Sequence, residues 1–307
     1  GKDIPVQVLY ATRHFDESSF KILESFGARI VKCNDSPELI PEVSNSIEHY
    51  NSLCLCFGPA WIFSPKFISW FGGRIFNYNG IPIPSYLGGA HFTWQILNQS
   101  WEGGCFIQQI TSDVDRGLIV KSLRYSIPES IDIEPKDFEL ANLEFGLSFL
   151  KEFLSEVFSS NTIQFSCENI DWKELMYFPR LHTSLHGWID WSWSGDEIRR
   201  FCSAFSDPYP GARTSLGSQD VILKSISYIQ TQPIHPFCKG LIFRVDKQKG
   251  FSDVWVRDGY LRVKSIVSLK TGDPIFPRLG SRLVTSQDKL NMALNPVSYD
   301  QNGIKGV

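Results

Sequence analysis

No apolar run in the 307 residues approaches the roughly 20 that a membrane-spanning helix needs, so no such helix is expected. No basic stretch followed by an apolar run opens the sequence, and no leader is expected in it. Positive charge is not in excess: 30 Lys and Arg stand against 33 Asp and Glu, with a net charge of −3 and a pI of about 6.1. A broad phosphate-backbone footprint is therefore unsupported, although a local basic patch would not show in this sum. Neither G-x-x-x-x-G-K-[ST] nor G-x-G-x-x-G occurs, which removes the nucleotide fingerprints. The seven cysteines, Cys33, Cys54, Cys56, Cys105, Cys167, Cys202 and Cys238, are odd in number and form no C-x-x-C pair. Buried free thiols in a reducing compartment are expected, not a disulfide framework or a zinc site. His182 and His186 are four apart, a spacing that suits a metal on a helix. Pro179 and Gly187 flank them and no acidic residue lies between, so no metal site is expected.

What is there reads as an ordinary globular chain, 42% hydrophobic and 21% charged, long enough for two domains with a core each. Val6–Tyr10 and Ala28–Cys33 read as strands around a helix that Asp16 caps and Gly27 stops. Ser36-Pro37-Glu38 opens a second helix, interrupted at Pro41 and ending near Tyr50. Ser52–Phe57 is nearly all apolar, as a parallel strand buried on both faces would be. Ser64-Pro65 starts a short helix to Trp70. The alternation of strands and helices predicts an α/β fold with a parallel-rich, Rossmann-like sheet and right-handed crossovers.

The chain is organised around residues 76–119. A strand over Arg74–Tyr78 ends on two side-chain amides, Asn77 and Asn79. The next loop is stiffened by Pro82 and Pro84 and loosened by Gly88 and Gly89. Ala90–Asn98 reads as a helix, Cys105–Ile110 as a strand, and the loop after it carries Asp113, Asp115 and Gly117. Leu118–Leu123 is a further strand, and Glu134-Pro135 opens a long apolar helix ending near Phe158. Amides at one strand end and a carboxylate at another can meet at the crevice of an open α/β sheet.

Residues from Thr162 to Gly187 read as an irregular connector. A second domain follows: a helix over Gly195–Phe205 capped by Ser194, then Pro208-Tyr209-Pro210-Gly211-Ala212. Short strands are expected at Val221–Ile226, Gly240–Val245, Asp253–Val256 and Tyr260–Val267, with Asp258-Gly259 as a hairpin turn. One helix with several short strands suggests a small OB-like β-barrel. The expected division is 1–185 for the α/β catalytic domain with connector, 186–285 for the OB-like domain, and 286–307 for a loose polar tail.

These motifs resemble the folate-dependent N-formyltransferases, the group that includes methionyl-tRNA formyltransferase and the sugar-nucleotide N-formyltransferases. The family's pattern is Asn-x-His, a Ser-Leu-Leu-Pro loop, a Gly, and later Asp-x-Gly. Asn77 matches the Asn, Pro84 the loop Pro, Gly88 the Gly, and Asp115-Arg116-Gly117 the last motif. Ile189-Asp190-Trp191, Pro208–Ala212 and Asp258-Gly259 match the C-terminal module. The matches cover about residues 50–120 and 186–267 in the family's order. Two places depart: Asn79 stands where the family's His belongs, and Ile81-Pro82-Ile83-Pro84 replaces Ser-Leu-Leu-Pro.

The resemblance implies transfer of a formyl group from N10-formyltetrahydrofolate to a primary amine, in the cytoplasm. An amino-sugar nucleotide is the first expected acceptor; tRNA is disfavoured without being excluded, no membrane is involved, and a homodimer is open. The amine attacks the formyl carbon, an oxyanion forms, and a proton must leave the attacking nitrogen. The resemblance gives Asn77 the oxyanion and Asp115 the proton or an ordered water. Asp115 can also be read as a loop carboxylate bonded to nearby backbone N–H groups. Gly58, Pro59, Trp61 and Ile62 stand where the family's pterin turn lies, although loop aromatics also serve as packing. Pro84, Gly88 and Asp113 are expected on the folate side, with Arg13 and His91 on the acceptor side; Arg13 reads equally as a solvated loop charge. For Asn79 three explanations stay open, because an amide cannot accept a proton as an imidazole does. Either Asp115 acts alone with water, or His91, which also reads as a structural histidine at a helix start, supplies another imidazole, or the chain binds folate silently or runs altered one-carbon chemistry.

Overall fold

A computed structural model describes residues 5–11, 16–33, 52–59, 61–113, 116–130, 132–159, 173, 175–300 and 303–305. The helix expected over residues 36–50, Arg13 and Asp115 all lie outside the described residues. The chain divides into two compact units that interleave along the sequence. Unit one comprises residues 1–79, 106–122 and 162–169. Unit two comprises 80–105, 123–161 and 170–307. These limits differ from a division at residue 185, because the strands over residues 102–109 and 119–126 run through both units.

In unit one, β1 (Gln7–Tyr10) and β2 (Arg29–Lys32) pair in parallel around α1 (Glu17–Ser25). Asp16 caps α1 by accepting from the Ser18 backbone at 3.1 Å. β3 (Cys54–Phe57) and β4 (Ile75–Asn79) are parallel neighbours, with Cys56 opposite Asn77 and Phe57 opposite Tyr78. The short α2 (Pro65–Ser69) joins them, with Ser64 as cap and Pro65 in its first turn. Phe67, Phe71, Ile75 and Cys56 form the core beneath.

β6 (Glu102–Gln109) pairs with the other side of β4 in the antiparallel sense, Asn77 facing Gln108 and Asn79 facing Phe106. The four-stranded sheet has the order β3-β4-β6-β7, with β7 at Ile119–Ser126. The fold is α/β, as the sequence pattern indicates. The sheet is mixed, however, and not uniformly parallel, because β6 runs antiparallel to β4.

In unit two, β5 (Leu87–Gly88) follows the proline loop, and α3 is His91–Leu97. The long helix α4 is Pro135–Ser159. The segment expected to be an irregular connector contains β8 (Tyr177–Phe178), which pairs in parallel with β5, and a one-turn helix α5 (Thr183–His186). Helix α6 (Gly195–Ala204) opens with a full capping box between Ser194 and Glu197.

A six-stranded antiparallel row follows. Its strands are β9 (Ala212–Leu216), β10 (Gln219–Gln230), β11 (Ile242–Asp246), β12 (Phe251–Val256), β13 (Gly259–Ser268) and β14 (Leu283–Val284). The order is β11-β12-β13-β10-β9-β14. Backbone bonds from Gly280 to Ile242, from Ile242 to Ser281 and from Leu283 to Gly240 bring the two ends of this row together. Asp253 is buried in it and held by Arg262 at 2.9 and 3.0 Å. The core of unit two joins Ile96, Ile127 and Phe138 to Ile198, Val221 and Leu283.

Residues expected as a loose tail are anchored at their start. Helix α7 (Gln287–Met292) places Lys289 against Asp220 and over the Trp188 ring at 4.2 Å. His186 Nε2 meets the Asn295 carbonyl at 3.1 Å. A two-stranded ribbon, β15 (Ser298–Asp300) with β16 (Gly303–Lys305), closes the chain's described part.

Candidate functional site

The carboxyl ends of β3 and β4 emerge side by side in unit one, since the two strands are parallel and in register. This is the edge where open α/β sheets take ligands. Alternation along β4 puts Asn77 and Asn79 on one face and buries Phe76 on the other. Both amides are half-buried. Asn77 Oδ1 is shut from solvent and has no hydrogen-bond partner among the described residues. A half-turn about the last side-chain torsion would bring the NH2 end to the same place, so the position can serve a ligand as acceptor or donor.

Across the sheet from Asn77 lies Gln108, a residue the sequence reading did not single out. It is buried, and its Nε2 donates to the Gly117 carbonyl at 2.9 Å. Its signal was present as Gln108-Gln109 closing an otherwise apolar strand. Gln109 Nε2 donates to the Gly73 carbonyl at 2.8 Å. Gly117 is pressed so close that an added Cβ would stand 1.6 Å from the Gln109 carbonyl oxygen, which only glycine avoids. The hairpin that carries the aspartates therefore closes against the register partner of Asn77. Asp113 is exposed in this hairpin; its carbonyl accepts from Thr111 Oγ1 at 3.0 Å and from the Arg116 backbone at 3.2 Å.

The turn after β3 is open. Gly58 has φ +53 with nothing near an added Cβ, and Pro59 and Trp61 are half-buried. Ile62 is 80% exposed, so it packs under nothing in the described chain. Phe63 is the packing aromatic, stacked on Phe67 at 5.0 Å.

In unit two, the loop that continues from Asn79 is tightly built. Ile81, Pro82, Ile83 and Pro84 are buried. The Ile83 carbonyl accepts from Arg124 at 3.0 and 2.6 Å. The Pro84 carbonyl accepts from the Met176 backbone at 3.3 Å, and Leu87 donates back to Met176 at 3.0 Å. Gly88 has φ +110, and a Cβ there would lie 2.0 Å from the Phe178 carbonyl. Pro84 and Gly88 thus have structural reasons to be what they are, whatever they also contact.

His91 opens α3. Its ring bonds to the Gly80 backbone and lies edge-on to Phe92 at 4.1 Å. Nε2 is buried without a partner among the described residues. The Gly80 bond is therefore made by Nδ1–H, which leaves the lone pair on Nε2. Burial pulls this imidazole down to about 4, against the smaller upward pull of the Gly80 bond. The pair His182 and His186 is occupied within its own turn, with His186 Nδ1 meeting the His182 backbone at 2.7 and 3.0 Å.

Comparison with known proteins adds to this geometry. The profile of the family described as formyl transferase, C-terminal domain, matches residues 183–273. Methionyl-tRNA formyltransferase of Parabacteroides distasonis is 28% identical over 197 residues, which is 62% of this chain and 59% of that protein. The enzyme of that name from Fervidobacterium nodosum is 26% identical over 193 residues, with the same coverage. The chain thus spans less than two thirds of the length of these curated relatives. Among solved structures, HypX from Aquifex aeolicus superposes with a TM-score of 0.58 at 14% identity, covering 95% of this chain and 49% of that one. The sugar 3N-formyl transferase WlaRD gives 0.57 at 17% identity, covering 86% and 88%. At such identities the likeness is one of fold. By sequence the chain is similar to methionyl-tRNA formyltransferases, in fold it is similar to solved formyltransferase structures, and residues 183–273 match the formyl transferase C-terminal domain.

Proposed function

We propose that the chain is a folate-dependent formyltransferase, moving a formyl group from N10-formyltetrahydrofolate to a primary amine of a small molecule. The observation that carries this reading is Asn77 Oδ1, buried at the carboxyl end of β4 without a hydrogen-bond partner among the described residues. A buried polar atom left unpaired costs about 1–3 kcal/mol, and a ligand that completes it recovers that cost. Three solved relatives support the choice of ligand. WlaRD was solved with dTDP and 5-N-formyl-THF, HypX with tetrahydrofolic acid, and a Helicobacter canadensis N-formyltransferase with folinic acid and dTDP-3-aminofucose. An amino-sugar nucleotide is accordingly the first acceptor to test, with methionyl-tRNA as the alternative that the curated relatives suggest.

In this reading the folate, when bound, supplies the formyl carbon. Asn77 holds the formyl oxygen by its NH2 and meets its growing negative charge. Asp115 takes the proton from the attacking amine, directly or through a water, and a proton must reach N10 as its bond to the formyl carbon breaks and tetrahydrofolate leaves. Asn79 adds a hydrogen bond but no base. Gly58, Pro59, Trp61, Ile62, Pro84, Gly88 and Asp113 are assigned to the folate, and Arg13 and His91 to the acceptor. Residues 1–185 form the catalytic part, 186–285 an OB-like barrel in keeping with the row whose ends meet, and 286–307 an extension. The setting is the cytoplasm; no helix among the described residues is long and apolar enough to cross a membrane.

The absence of an imidazole at Asn79 favours a second reading, a folate-binding relative that has lost or altered the reaction. Incubation with N10-formyltetrahydrofolate and a panel of amines, read by product mass, separates the two. Formylated amine supports the first reading. Folate binding without any product supports the second, and no folate binding sinks both. Asn77→Ala is expected to cut turnover about a hundredfold or more while folate affinity moves little. Equal losses in both would remove its oxyanion role. Asp115→Asn should abolish turnover with the fold intact, and unchanged activity would defeat its assignment.

A further inference from the structure

Helix α4 has two apolar faces, where packing against a single core needs one. Phe138, Phe149, Phe153 and Val157 are buried. A second row, Leu140, Leu143, Leu147, Leu150 and Leu154, runs with spacings of three, four, three and four. Leu140 is 63% exposed, Leu143 58% and Leu147 50%, and the last two members are half-buried. Single exposed leucines are ordinary; a row in heptad spacing is the pattern of a helix that packs along another helix.

We propose that this row is a self-association surface, on which α4 packs antiparallel against α4 of a second copy of the chain. The charges beside the row select that occupant and that direction. Glu144 and Lys151 each follow a leucine of the row, seven residues apart on one side of it, and both are exposed. Among the described residues neither forms an ion pair within the chain. They lie symmetrically about the point between Leu147 and Ser148. A two-fold axis through that point sets each Glu144 opposite Lys151 of the partner subunit, twice over. The same axis drops Leu143 into the gap between Leu150 and Leu154 of the partner subunit, a knob in a hole. A parallel pair would instead set glutamate against glutamate and lysine against lysine. The row from Leu140 to Leu154 is only about 21 Å long, so the association is weak and reversible.

Sedimentation velocity of the 307-residue chain from about 1 to about 200 μM tests this. A monomer–dimer equilibrium is expected. The double variant Leu143→Glu/Leu147→Glu should stay monomeric with an unchanged circular dichroism spectrum, both sites being exposed. Glu144→Lys and Lys151→Glu should each weaken the dimer, and the two together should restore it. A chain that is monomeric throughout overturns the proposal, as does a dimer that the leucine changes leave intact. A charge-swapped pair as weak as the single variants overturns the antiparallel arrangement.

Discussion

His91 shows what one side chain can do to a stability profile. The imidazole titrates near 6.5 in an unfolded chain and is pulled to about 4 here by burial. Between those values the unfolded chain binds a proton that the folded one refuses. Stability is therefore undiminished above about pH 6.5, falls as the pH drops towards 4, and levels off below. The gap corresponds to on the order of 3 kcal/mol. Urea denaturation at about pH 7 and about pH 4.5 should show this fall, and His91→Gln should shrink it; an identical profile in the variant would deny His91 the part. Asn79→His is the complementary change. It should raise formyl transfer if only a proton acceptor is missing, and no gain would mean that the surrounding pocket has diverged too. Asn77 was legible in the sequence because it sits in a motif with an order and a spacing. Gln108 was not, because it meets Asn77 only through strand register, which no local pattern encodes.

At the level of elements, what is written locally was readable and what depends on pairing was not. The caps at Asp16, Ser64 and Ser194 announce α1, α2 and α6, since a side-chain oxygen before an apolar period satisfies free N–H groups without help from elsewhere. Ser194→Ala should destabilise the protein by about 1 kcal/mol in denaturant titration, through loss of the bond to Glu197. The antiparallel β4–β6 pairing escaped notice because a buried antiparallel strand is as continuously apolar as a parallel one. β5, β8 and β14 are two residues each, too short for any periodicity to show. The parallel pairing of β5 with β8 is made by loops whose only cue was a glycine at residue 88. The α7 contacts to Asp220 and Trp188 rest on one lysine that composition alone reads as a solvated charge.

On the scale of the molecule, the core of unit two is shared by residues on both sides of position 185. It draws Ile96, Ile127, Ile133 and Phe138 from before residue 185 and the strands of the six-stranded row from after it. Thr93 Oγ1 donates to the Ala204 carbonyl at 3.1 Å, and Arg200 to the Leu97 carbonyl at 3.0 Å. A fragment of residues 186–307 lacks the helices that cover Ile198 and Phe201. It should be poorly soluble or show a broad, non-cooperative thermal transition, whereas the whole chain should melt with a sharper one. A cooperative, soluble fragment would show that the strand row suffices alone. The interleaving also sets an order in time. Ile96 and Phe138 leave the ribosome long before Leu283 exists, and at roughly 5–20 residues per second the wait is on the order of 10–40 s. Newly made α3 and α4 must pass that interval with the apolar side chains they give to this core still uncovered by its last strand.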